Sequence, residues 1–318
     1  MSKGAKIWLT IALILLACGL VFVAILAAND WDIAKIGTTQ YETNTHAISE
    51  SFRDISMDTD TADIVFVPAQ DDTSTVVCFE PSNAQHTVAV KDGTLVIESV
   101  DNRRWYERIF SFAAPKITLT IPQGEYGVLS IDEDTGDVEI PKPFRFERMD
   151  LALSTGSVKS AASALESINV AASTGNIRLE NASAAELDLS VSTGEITLTD
   201  VTCKGSINTR VSTGQMILTN VTCQNVISDG STGEIFLKNV VAGEKLSLER
   251  STGDIRLDGV DAAEIFIETD TGDVTGTLLS EKVFIAEADT GKVRVPKTTS
   301  GGKCEISTST GDIHIRIE

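Results

Sequence analysis

A dipeptide with a fixed period constrains this chain more than any other feature. Thr-Gly recurs with its glycine at 136, 156, 175, 194, 214, 233, 253, 272, 291 and 311, always 19 or 20 residues apart. A period of this length is the signature of a chain built by stacking one small unit on the next. Two positions after the glycine stand Val138, Val158, Ile177, Ile196, Met216, Ile235, Ile255, Val274, Val293 and Ile313, all apolar. The residues between this column and the next apolar one are mostly polar, as in Glu139, Lys159, Arg178 and Arg256. Seven positions before the glycine stand Leu129, Met149, Ile168, Leu187, Ile207, Val226, Leu246, Ile265, Phe284 and Cys304. Alternation on both sides of the turn predicts two strands per copy, each with one buried face. A single copy cannot bury that face alone, whereas copies stacked in register share one continuous core.

The segment ISMDTDTADIVFV fits the template once more, with Ala62 in the glycine position. The predicted fold is therefore all-β: a parallel β-helix or solenoid of about eleven rungs of 19–20 residues, preceded by one transmembrane helix. Thr75–Glu80, His86–Val90, Thr94–Glu98 and Lys116–Ile121 also read as strands, with Asp92-Gly93 as a hairpin turn. The predicted organisation is residues 1–28 as cytoplasmic tip and transmembrane helix and 29–44 as a stalk. Residues 45–130 form an irregular β cap with the first rung, and 131–318 the regular repeats. The last strand, Asp312 to Glu318, is predicted to leave an open edge through which copies could associate.

Ile7 to Ala28 is a run without a charged residue, long enough to span a bilayer as a helix. Lys3 and Lys6 precede it, and Asp30 and Asp32 follow. The positive-inside rule then predicts a single-pass protein of the bacterial cytoplasmic membrane, N-terminus in and residues 29–318 extracytoplasmic. Cleavage after Ala28 is the competing reading, weakened by Leu26 at the −3 position. Leu15-Leu16-Ala17-Cys18 also resembles a lipobox, which would make Cys18 a lipidated residue. The formal net charge is −20. Such acidity argues against nucleic acid as a partner, because phosphate contacts need clustered Lys and Arg.

No motif points to a cofactor or a catalytic centre. Asp-Thr-Gly at 134–136, 270–272 and 289–291 reads as a variant of the repeat's Ser-Thr-Gly and not as a protease signature. Asp270, Asp273 and Asp289, on successive copies near one corner, are the residues a calcium ion would use, against the reading of solvated turn carboxylates. His46, His86 and His314 show no metal-ligand spacing. Cys203 and Cys223 occupy matching positions one rung apart, either as a stacked pair of free thiols or as a disulfide. Two apolar features are candidate partner contacts. One is the aromatic stretch with Trp105, Tyr106 and Phe110. The other is the pair Ile217 and Phe236, which fall in an otherwise polar outward column.

The anchor, the degenerate first rung, the segment ITLTIP at Ile117–Pro122 and the serial S-T-G-[DE]-I-x-L copies resemble a bacterial family known by the name "putative adhesin", a domain of unknown function. The likeness covers about residues 45–318. It implies a β-helical fold and, for some members, a link to cell-envelope stress systems. It carries no catalytic motif to transfer. The expected function is thus a non-catalytic adhesin-like binding or scaffold protein of the cell envelope, with a cell-wall, glycan or protein partner. An accessory component of an envelope-stress system and a glycan-active β-helix enzyme are the alternatives.

Overall fold

A computed structural model describes residues 3–28, 31, 40–101 and 114–318. Among the described residues, helix α1, Lys3–Ala28, is followed by strands and no further helix. Its stretch Trp8–Ala28 has a mean hydropathy of 3.0 and is long and apolar enough to cross a membrane.

In the regular region each coil enters a corner at its Thr-Gly and leaves on a second strand. The upstream strands stack in parallel and in register, Leu129 on Met149, Ile168, Leu187, Ile207, Val226, Leu246 and Ile265. The downstream strands do the same, with Val138, Val158, Ile177, Ile196, Met216, Ile235 and Ile255 in one column. Both columns are buried and form one core. Because like residue sits on like, the apolar face of each coil is covered by the same face of its neighbours. This is the geometry that the period demands.

The corner glycines answer two requirements. From Gly156 onward they take φ between +132° and +158°, where side chains are strained. A Cβ on any of the ten would also lie only 1.7 to 2.1 Å from a backbone carbonyl oxygen of the adjacent coil. Stacking therefore forbids a side chain here even apart from φ. Beside the glycine, the next residue of one coil accepts a hydrogen bond from the backbone N–H of the matching residue in the next. Asp63 Oδ1 accepts from Asp137 (3.1 Å), Asp137 Oδ1 from Ser157 (2.7 Å), and Asn176 Oδ1 from Glu195 (2.9 Å). Much of the turn acidity is thus a ladder of acceptors for backbone groups that the sheet leaves unpaired.

A second corner lies six residues after the glycine. Asn181, Asp200, Asn220, Asn239 and Gly259 all have φ between +51° and +64°. Asn and Asp tolerate this left-handed region best after glycine. Their side chains also form a ladder, Asn239 Nδ2 to Asn220 Oδ1 (3.0 Å) and Asn220 Nδ2 to Asp200 Oδ1 (2.8 Å).

The two ends depart from simple stacking. At the N-terminal end lie β1 (Tyr41–Ile48), β2 (Asp54–Thr61), β3 (Asp63–Pro68), β4 (Ser74–Pro81), β5 (Ala84–Lys91), β6 (Thr94–Asp101), β7 (Lys116–Ile121), β8 (Gly124–Thr135) and β9 (Val138–Ile140). Strands β2 and β3 form the first rung with Ala62 buried at its corner, as the repeat template predicts. That rung is inserted: β2 pairs in parallel with β6 on one side and β8 on the other, and β3 with β7 and β9. Antiparallel strands extend the end, β5 on β6 through a hairpin at Asp92 and Gly93, and β4 and β1 beyond β7. Phe66, Phe144, Phe146 and Tyr126 cluster under this cap with ring centroids 5.9 to 6.4 Å apart.

The C-terminal end repeats the device. Strand Gly302–Thr310 pairs with the Gly272 coil at Ile265–Thr271 on one side and with Lys282–Thr290 on the other. Strand Ile313–Ile317 lies between Val274–Leu278 and Val293–Arg294. The order in space is therefore Gly272, Gly311, Gly291. This corrects the expected open edge at Asp312 to Glu318 in part: Gly302–Thr310 and Ile313–His314 are paired on both sides, and Ile315–Ile317 on one side only. The free edge is Lys282–Thr290 with Val293–Arg294, continued at Ile315–Ile317.

Candidate binding surface

The outward residue three positions after each corner glycine forms a column that runs Glu139, Lys159, Arg178, Thr197, Ile217, Phe236, Arg256. The structure does bring Ile217 and Phe236 together as directly opposed neighbours. Ile217 is half-buried, and Phe236 is 36% exposed. Thr197 below is nearly buried, and Arg256 above is held by Glu234 (3.2 Å) and Asp254 (3.0 Å). A groove of about 320 Å³ lies on the same face and reaches Thr197, the register neighbour of Ile217; it is lined among others by Glu139, Lys159, Asn176, Arg178 and Glu195. Its cations are paired within the face, Lys159 with Glu139 (3.3 Å) and Arg178 with Glu180 (3.5 Å). The face thus carries a hydrogen-bonding groove whose cations are paired, with Ile217 and then Phe236 on the coils beyond its Thr197 end.

On the upstream face a cleft of about 450 Å³ has Arg250 at its floor and Arg210, Asp229, Glu249, Glu268 and Asp270 around it. Asp229 is held in a two-point contact by Arg210 (3.0 and 3.2 Å). Arg250 is 3% exposed, and its Nε and Nη2 have no partner in the protein. Its guanidinium lies over Gly230, which has no side chain to occupy that space. Burial pulls the Arg250 pKa down, against the nearby Asp229 charge.

Asp270 and Asp289 are not on adjacent coils, contrary to their order in the chain, because the Gly311 coil stands between them. Asp273 Oδ1 accepts the Asp312 N–H (2.7 Å), and Asp312 Oδ1 accepts that of Lys292 (2.8 Å). At least one oxygen of the calcium candidate Asp273 thus serves the acceptor ladder. Trp105, Tyr106 and Phe110 lie outside the described residues. Cys18 falls within α1. Cys203 and Cys223 are both buried and free. Burial pushes the Cys223 thiol up to about 12.

One cluster escaped the sequence reading. Cys78 and Glu80 share the inner face of β4, and His86 on β5 meets them. A ligand atom from each lies within 4.8 Å of the others, and all three residues are buried. The spacing C-x-E-x₅-H matches no familiar motif. Strand alternation across the β4–β5 connection is the only signal that could have shown it.

Solved structures with a similar arrangement come from distant chains. A "putative adhesin" from Bacteroides fragilis is 16% identical, with a TM-score of 0.42, covering 88% of this chain and 99% of its own. A "putative lipid binding protein" from Parabacteroides distasonis is 18% identical, with a TM-score of 0.45, covering 74% and 94%. A "putative adhesin" from the same species is 12% identical, with a TM-score of 0.39, covering 87% and 98%. At these identities and scores, what those proteins bind says nothing about this chain. No curated protein matches it. The family model described as Toastrack DUF4097 matches residues 52–211 and 204–318, which takes in the first rung and every Thr-Gly coil, and the chain belongs to that family.

Proposed function

We propose that this chain is a membrane-anchored, non-catalytic binding scaffold of the bacterial cell envelope that holds a neutral glycan strand along the Glu139–Arg256 face. The observation that carries this reading is Phe236, a partly exposed ring stacked on Ile217 on the same face as a polar groove whose cations are already paired. Sugar rings pack their apolar faces on aromatic rings and give their hydroxyls to such rows of polar groups. A net charge of −20 disfavours polyanions and anionic headgroups as the ligand. The stacked coils offer the same backbone geometry at every step, which suits a repeating polymer.

The anchor in this reading is α1, with residues 29–318 outside the cytoplasm. Its apolar stretch is 0% buried by the rest of the protein, so lipid is the medium that would cover it. The charges at its two ends support the N-terminus-in orientation.

Detergent-solubilised full-length protein, sedimented with a panel of insoluble neutral polysaccharides, tests the proposal. Retention on at least one is expected. Phe236→Ala should weaken it about tenfold, the scale of one aromatic packing contact. Phe236 is partly exposed, so the variant should fold. Equal retention of the variant would remove this face from consideration, and release of sugar fragments by the wild type would replace the scaffold with an enzyme.

A further inference from the structure

We propose that Cys78, Glu80 and His86 form a binding site for a single divalent transition-metal ion of the zinc class. The three side chains bring a sulfur, an oxygen and a nitrogen donor within 4.8 Å of one another in the protein interior. Glu80 and Cys78 are 0% exposed, and His86 is 8% exposed. Zinc bonds of about 2.0–2.3 Å would span such a set after small adjustments. The mixture of thiol, imidazole and carboxylate suits zinc or its neighbours, whereas calcium and magnesium would require an all-oxygen shell.

The cluster already has internal contacts. His86 Nδ1 lies 2.6 Å from Glu80 Oε2, which also accepts the His86 backbone N–H (2.7 Å). Asn44 Nδ2 donates to Glu80 Oε1 (2.7 Å). A buried carboxylate paired with a histidine could be a purely structural knot. Two observations point beyond that. The first is geometric: Cys78 adds a sulfur donor within 4.8 Å of the pair, so three different ligand types converge on one buried point. Burial and the Glu80 charge hold that thiol up at about 12. Secondly, His46 Nε2 is buried and has no partner. On β1, Asn44 is opposite Cys78 and His46 is opposite Val76. His46 is therefore a diagonal neighbour of Cys78, a relation within reach of long side chains. It supplies an unpartnered imidazole nitrogen on the same strand pair as a candidate fourth ligand.

On binding, the Cys78 thiol would lose its proton to solvent as sulfur bonds the ion, and the Glu80–His86 contact would open to admit it. The ion would tie β4 to β5 and, through Asn44, to β1. These strands form the end of the solenoid nearest the helix in sequence, so the metal would brace that end.

The test uses full-length protein in detergent, stripped with a chelator and titrated with Co(II). We expect one equivalent to bind with a near-ultraviolet thiolate-to-cobalt band, displaced by Zn(II). Cys78→Ser should abolish that band while still melting cooperatively in the presence of chelator. Glu80→Gln and His86→Ala should weaken binding by at least about 10–100-fold. Cys203→Ser, Cys223→Ser and His314→Ala should leave the titration unchanged. Absence of saturable binding, binding without the band, or loss of the band in the Cys203 or Cys223 variant would each overturn the proposal.

Discussion

Glu133 and Arg250 occupy the same inward column, three residues before the corner glycine, and both are charged groups in a row of Leu153, Ala172, Val191 and Val211. Glu133 is satisfied. Its Oε1 accepts the N–H of Ala62 (3.1 Å) and of Thr135 (3.2 Å), and its Oε2 meets the Thr59 hydroxyl. It thereby joins the inserted first rung to the coil beside it. Burial outweighs these hydrogen bonds and raises its pKa from 4.5 to about 7. Between those values the folded chain holds a proton that the unfolded chain has released. Its contribution to stability is therefore complete below pH 4.5 and is lost as pH rises through 7. Glu133→Gln can keep the acceptor toward both N–H groups and offer an amide to Thr59. It should flatten this part of the stability profile, a difference of roughly 3 kcal/mol across the window. Denaturant midpoints at a series of pH values check it, and parallel profiles for the two proteins would assign the titration elsewhere.

Among the elements, the inserted strands at the two ends are the least expected. The Gly291 and Gly311 coils present the same columns, and either could sit on the Gly272 coil without moving an apolar residue from the core. The observed order makes Gly302–Thr310 the sole parallel neighbour of Lys282–Thr290 among the described residues. Deleting residues 302–318 should therefore strip protection from 282–294 as well, although those residues remain in the chain. Hydrogen exchange of the truncated protein, with α1 retained, measures this. Persistent protection of 282–294 would mean that the coils can stack in chain order.

At the scale of the molecule the two ends are unlike. Antiparallel strands β1 and β5 extend one end, while the other presents Lys282–Thr290 as an edge with Val283, Ile285 and Val293 exposed. Edges of this kind pair with other chains unless charge prevents it. With a net charge of −20, repulsion between copies is strong at low salt and fades as the Debye length shrinks. We expect sedimentation of the solubilised protein to show association that grows with ionic strength. Ile285→Lys should suppress it, and a wild-type protein that stays monomeric at every salt concentration would exclude this edge as a contact.

The period of Thr-Gly was enough to determine the coil, its corner and its core columns, because parallel in-register stacking places identical positions together and leaves one way to bury them. Ala62, Ile64 and Phe66 followed from the same template. The hairpin at Asp92-Gly93 followed from turn chemistry. The second corner at Asn181, Asp200, Asn220, Asn239 and Gly259 was written in the chain at a constant offset, but its variable residue type hid it. Other features depended on which coil lies beside which: the insertion of two rungs, the separation of Asp270 from Asp289, and the meeting of Cys78 and Glu80 with His86. Only the tertiary structure decided these, because interchangeable columns make the stacking order invisible to a pattern, and side chains on different strands acquire a distance only when the strands are laid side by side.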